Sequence, residues 1–127
     1  MASIECFEDL QVWQLARDLS FYVKKLTLKG PFLKDFKFSS QITSAAGSIM
    51  DNIAEGFERD GNKEFINFLY IAKGSNGEVR SQSYRALDWN YISTEEHEEI
   101  LLLTEKLKFK LQGLIRTLKN SGGKGYK

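Results

Sequence analysis

The stretch STEEHEEILLLTEKLKFKLQGLIRTLK, from Ser93 to Lys119, decides the fold class of this chain. Ile100, Leu103, Leu107, Leu111, Leu114 and Leu118 recur at steps of three and four, the spacing of one face of an α-helix. Ser93, with Glu96 three residues on, has the form of a capping box: hydroxyl and carboxylate each serve an amide that the first turn leaves unpaired. Glu95, Glu96, Glu98 and Glu99 crowd the positive end of the helix dipole. Lys106, Lys108, Lys110, Arg116 and Lys119 follow toward its negative end. The segment reads as a long amphipathic helix with a well-marked start.

Working outward, the same period recurs three times. Leu10, Trp13, Ala16, Leu19, Val23 and Leu26 define a first helix over Leu10 to Leu28, stopped by Gly30-Pro31. Ile42, Ala45 or Ala46, Ile49, Ile53 and Phe57 define a second, starting near Ser39 or Ser40 and ending at about Arg59, where Asp60-Gly61-Asn62 supplies turn chemistry. A third runs from Lys63 to about Tyr91, with Phe65, Leu69, Ala72, Val79, Ala86 and Trp89 as inward candidates. Gly74-Ser75-Asn76-Gly77 interrupts it, but the register from Ala72 to Val79 to Ala86 carries across. An internal glycine costs only about 1 kcal/mol. One helix of roughly 40 Å is therefore expected, at 1.5 Å per residue. Four amphipathic helices with short connections predict an all-α, antiparallel up-down-up-down four-helix bundle over residues 1–120, with 121–127 as a flexible basic tail.

The chain has 127 residues, enough for one domain with its own core. Lys and Arg number 18 against 17 Asp and Glu, so global charge favours neither a basic nor an acidic partner. A single cysteine, no basic-apolar leader and no apolar run near 18–20 residues point to a cytoplasmic protein with no membrane role. Catalytic, cofactor and metal residues are all read as none. His97 is the only histidine and sits among glutamates, where an exposed surface residue is expected. The paired Glu-x-x-His motifs of di-iron bundles are missing, and Gly74–Gly77 lacks the lysine of a phosphate loop.

Two features exceed what a monomeric bundle requires. A core-facing helix needs an apolar stripe little more than about 100° wide. Phe65, Ile66, Phe68, Leu69, Tyr70 and Ile71 cover most of a circumference, and Ile100 to Leu103 repeat the excess. Phe65, Ile66, Phe68, Tyr70, Leu101 and Leu102 are thus candidates for an interface with another copy. The second feature is a polar line: Ser48, Asn52 and Glu55 on one helix, Ser75, Glu78 and Gln82 on the next. Serine and asparagine are poor helix formers, so the line reads as a buried or interfacial network rather than a solvated face. Arg59 or Arg85 would partner its carboxylates.

Phe7-Glu8-Asp9-Leu10-Gln11-Val12-Trp13, Ser48-Ile49-Met50-Asp51-Asn52-Ile53-Ala54-Glu55-Gly56-Phe57 and Phe68-Leu69-Tyr70-Ile71-Ala72-Lys73-Gly74-Ser75-Asn76-Gly77-Glu78 occur in this order. Together they resemble the four-helix proteins encoded by intervening sequences in bacterial 23S ribosomal RNA genes. Related to these is the accessory variability determinant of diversity-generating retroelements. The resemblance spans about residues 7–118. It implies a homopentameric barrel and, in the retroelement branch, a basic surface that binds nucleic acid and partners a reverse transcriptase; the ribosomal branch has no settled activity.

A net charge of +1 departs from that basic branch, because phosphate neutralisation supplies most of a general nucleic-acid affinity. The charge is unevenly placed, however. Residues 106–127 hold seven Lys or Arg and no acid. Lys106, Lys108, Lys110, Arg116, Lys119 and Lys124 are the candidate contacts to RNA or DNA. Lys24, Lys25, Lys29, Lys34 and Lys37 form a second cluster, opposed only by Asp35. Two functions of different class follow: an oligomeric nucleic-acid binder or adaptor, and a protein-interaction scaffold with no nucleic-acid role.

Overall fold

The structure, a computed structural model, describes residues 3–121. From residue 122 onward the expected tail, with candidate Lys124, lies outside the described residues. A 3-10 turn at Phe7–Asp9 leads into α1 (Gln11–Thr27); α2 (Gly30–Lys34), α3 (Phe36–Glu58), α4 (Asn62–Asp88) and α5 (Thr94–Lys119) follow. Among the described residues every regular element is helical. Four of the helices are long, and they pack as a bundle. α3 lies against α1 and α4, and α5 closes the ring by lying against α4 and α1.

The expected helices are present with adjusted ends. α4 runs unbroken through Gly74 and Gly77. α5 starts at the expected capping box: the Glu96 amide donates to Ser93 Oγ at 3.1 Å, and the Ser93 amide donates to Glu96 Oε1 at 2.8 Å. α3 starts at Phe36 rather than Ser39, because Asp35 accepts the Phe38 amide at 3.1 Å and so serves as the N-cap. Pro31 does more than stop α1. It sits in the first turn of the additional short helix α2, where its fixed φ is preorganised and its missing N–H costs nothing.

The core takes Leu10, Ala16, Leu19, Val23 and Leu26 from the first segment and Ile42, Ala45, Ala46, Ile49, Ile53 and Phe57 from α3, as the period predicts. Trp13 and Trp89 are corrections: Trp13 is half-buried beside Phe7, and Trp89 is exposed at the end of α4. On α5 the buried line is Ile100, Thr104, Leu107, Leu111, Ile115 and Leu118, with Leu103 and Leu114 only half-buried. The face is rotated because Thr104 turns toward polar groups on α4.

The α3–α4 contact is set by a glycine. Phe38 meets Trp89, Ser48 meets Ser75, and Gly56 meets Phe65 and Phe68, so contacts descend one helix as they ascend the other. A Cβ at Gly56 would lie 2.6 Å from the Phe68 Cβ and 3.1 Å from the Phe65 Cδ1. Only a residue without a side chain allows this approach. It carries Phe65 into the core against Phe57, with ring centroids 5.9 Å apart. At the other end of the bundle Phe32, Phe38, Trp89 and Tyr91 form an aromatic cluster. Arg85 stacks 4.3 Å from the Phe38 centroid, and the Tyr91 hydroxyl donates to Asp35 at 2.8 Å.

Gly56→Ala is expected to destabilise the fold by about 1–3 kcal/mol through overpacking. That corresponds to roughly 4–11 °C in Tm for a chain of this size, measured by thermal circular dichroism. Asp35 yields a pH prediction. The Phe38 amide and then the Tyr91 hydroxyl hold its carboxyl below the ordinary value. A lowered folded pKa stabilises fully above the unfolded value of about 3.9 and is lost as pH falls through the folded one. Asp35→Asn should accordingly lower Tm above about pH 4 and flatten the acid limb below it.

Candidate nucleic-acid interface

The basic half of α5 divides between two flanks. Lys106, Lys108, Arg116 and Lys119 are exposed and Lys110 is half-buried. Lys110 and Arg116 border a groove of about 650 Å³ against α1, floored by Gly113 and Leu114 and walled by Ile4, Leu10 and Val12. Arg116 and Lys119 border a second, smaller groove of about 400 Å³ against α4, completed by Tyr70, Lys73, Gln112 and Ile115. By helical spacing Lys108 shares the flank of Gln112 and Lys119, and Lys106 that of Lys110. None of these cations forms an ion pair among the described residues.

Tyr70 belongs to this basic flank. Lys119 Nζ donates to its hydroxyl at 2.7 Å and lies 5.2 Å from its ring centroid. Lys73, one turn further along α4, brings a cation that the α5 pattern alone does not reveal. The signal was present in Tyr70-Ile71-Ala72-Lys73, but only the packing of α4 on α5 brings it beside Arg116 and Lys119.

A polar seam positions that packing, and the sequence pattern missed it. Asn76 Nδ2 donates to the Thr104 carbonyl at 2.9 Å. Arg80 Nη1 donates to the Leu101 carbonyl at 3.0 Å and to Thr104 Oγ1 at 3.1 Å, with Glu105 at 3.7 Å. His97 is a correction. It is 5% exposed rather than a surface residue, its Nδ1 hydrogen-bonded to Ser83 Oγ at 2.7 Å and its ring 4.5 Å from that of Tyr84. Thr104 interrupting an apolar line was the available signal.

The expected polar line separates into pieces. Ser48 and Ser75 join at 3.1 Å, and Asn52 Nδ2 donates to the Ser48 carbonyl and hydroxyl at 2.8 and 2.9 Å. Glu55 is exposed and pairs with Arg59 at 2.8 Å, so it is no buried carboxylate. Glu78 is exposed and accepts from Gln82 at 3.4 Å, while the Gln82 Oε1 is buried without a partner. Arg85 packs on aromatic rings instead of meeting either carboxylate. Of the candidate interface residues, Phe65 is a correction. At 2% exposure it fills its own core, because Gly56 makes room for it. Ile66, Phe68 and Leu101 are half-buried, and Leu102 is 64% exposed.

Among the described residues no group of three His, Cys, Asp or Glu side chains is placed to hold a metal ion. Among the described residues no helix is long and apolar enough to cross a membrane. Cys6 lies by the start of α1, and partial desolvation together with hydrogen bonds to Glu8 and Asp9 raises its thiol pKa, which disfavours the nucleophilic thiolate.

These features define a helical bundle whose chemistry is displayed on its outer grooves rather than enclosed. The chain belongs to the family of 23S rRNA-intervening sequence proteins, whose model matches residues 8–113. It is similar in structure to a protein of unknown function from the S23 ribosomal protein family of Bacteroides thetaiotaomicron. The TM-score is 0.76 at 25% identity, covering 84% of this chain and 96% of that one. No curated protein matches it in sequence.

Proposed function

We propose that the chain is a non-enzymatic, self-associating adaptor that binds nucleic acid through the C-terminal half of α5. The observation that carries this reading is unneutralised charge: Lys106, Lys108, Lys110, Arg116 and Lys119 share one helix end with no acid after Glu105 and no ion pair among the described residues. Phosphates neutralised by such side chains release counterions, which drives binding. A chain with a net charge of +1 must obtain that effect locally.

Self-association supports the same function by repeating a modest patch, which raises avidity without new contacts. Phe21, Leu28, Leu33, Phe36, Ile71, Leu102 and Phe109 are exposed, more large apolar groups than solvent favours. Gly47, Gly74 and Gly77 lie inside helices, where a Cβ would meet nothing within 4 Å. Each costs helix stability that packing within the chain does not explain. Five copies is the number the family resemblance implies, and a reverse transcriptase is the protein partner implied by its retroelement branch. The exposed apolar groups also favour a second reading, a scaffold that binds protein alone.

Mobility-shift titration tests the nucleic-acid function. Binding should appear at low salt and weaken with a log–log slope of about −2 to −4, as expected when three to five cations meet phosphates. Absence of a shift at low salt overturns it and leaves the scaffold. Light scattering coupled to size exclusion should report several copies; a monomer near 14.6 kDa overturns self-association.

A further inference from the structure

The α4–α5 groove gathers Lys73 from one helix with Arg116 and Lys119 from the other around the Tyr70 ring, and Gln112 adds a neutral donor and acceptor. No carboxylate lines it. Cations brought together without an acidic partner repel one another, so the groove is set for an anion. α5 places Arg116 and Lys119 almost one turn apart, while Lys73 approaches from across the groove. The charges therefore surround a volume instead of forming a line along one helix. Tyr70 is 46% exposed even with Lys119 hydrogen-bonded to its hydroxyl, so the ring still offers surface beside the cations.

We propose that Lys73, Arg116 and Lys119 hold a backbone phosphate of a single-stranded nucleic acid while Tyr70 stacks on the neighbouring base. The inference rests on the nucleic-acid reading above and adds to it the strandedness of the ligand and a contributing face on α4. A cation recognises phosphate in any nucleic acid, whereas an aromatic ring reaches a base only where the base is unstacked. A duplex would use the lysines and leave Tyr70 idle. An acidic peptide would use the same lysines with no need of the ring. Lys106 and Lys110, on the opposite flank of α5, are outside this groove, so their substitution removes one cation of the wider basic end and leaves the groove intact for comparison.

The test is fluorescence anisotropy of the full chain with a labelled single-stranded oligonucleotide of about ten nucleotides, the site size of one small binding domain, and with the corresponding duplex. Tyr70→Leu should weaken single-strand binding about tenfold with an unchanged salt slope, and Tyr70→Phe should restore it, since the ring is what stacks. Duplex binding should be unmoved by Tyr70→Leu. Lys73→Gln should weaken both ligands and reduce the salt slope by about one unit, more than Lys106→Gln does for the single strand. Equal loss on both ligands in Tyr70→Leu, or no loss on either, overturns the stacking site while leaving the α5 reading intact. A Lys73→Gln variant no weaker than Lys106→Gln removes the phosphate pocket in the same way. Failure of the unsubstituted chain to bind either ligand at low salt overturns both. Circular dichroism melts of the variants keep loss of binding separate from loss of fold.

Discussion

The close approach of α3 and α4 at Gly56 is the constraint from which much of this structure follows. A side chain there would overlap Phe68 and press on Phe65, and the helices would have to separate. With glycine, Phe65 enters the core against Phe57, and α4 is fixed in rotation about its own axis. That rotation places Leu69, Ala72, Val79 and Ala86 inward and brings Tyr70 and Lys73 to the side shared with α5. The glycine that ends the segment Asn52-Ile53-Ala54-Glu55-Gly56 thus determines which face of the neighbouring helix is available to solvent.

The α4–α5 contact works by a different principle. Asn76, Arg80, Ser83, Thr104 and His97 give it directional hydrogen bonds in place of apolar interdigitation alone. Buried polar groups are costly when unpaired, so a seam of this kind favours one register over those displaced by a turn. Register matters because Arg116 and Lys119 must lie opposite Tyr70 and Lys73. The polar seam and the basic groove are consecutive parts of the same helix pair, the first holding the second in place.

The remaining surface fits a protein that works through contact. Its grooves are open, most of its carboxylates are exposed, and its exposed apolar side chains are distributed over several helices. Membership in the 23S rRNA-intervening sequence family agrees with this picture without supplying a biochemical activity, since the similar Bacteroides structure is itself of a protein of unknown function. The proposed adaptor function therefore rests on the distribution of charge in this chain.

The helices, their order and the start of α5 could be read from the sequence, because apolar spacing and capping are local: the residues that decide them lie within a turn or two of one another. The same logic made the Ile42–Phe57 core face legible. Local spacing was insufficient where partners come from distant segments. Thr104 is inward because Asn76 and Arg80 bond to it, His97 is buried because Ser83 faces it, and Phe65 is core rather than interface because Gly56 lies opposite. The basic stretch of α5 was visible as composition, yet its division into two flanks, and the recruitment of Lys73 and Tyr70 to one of them, depends on which helix lies alongside. Sequence by itself determined that the chain forms long amphipathic helices with a basic end. Tertiary structure alone decided which side chains meet across them, because periodicity specifies a face but not the neighbour against which that face packs.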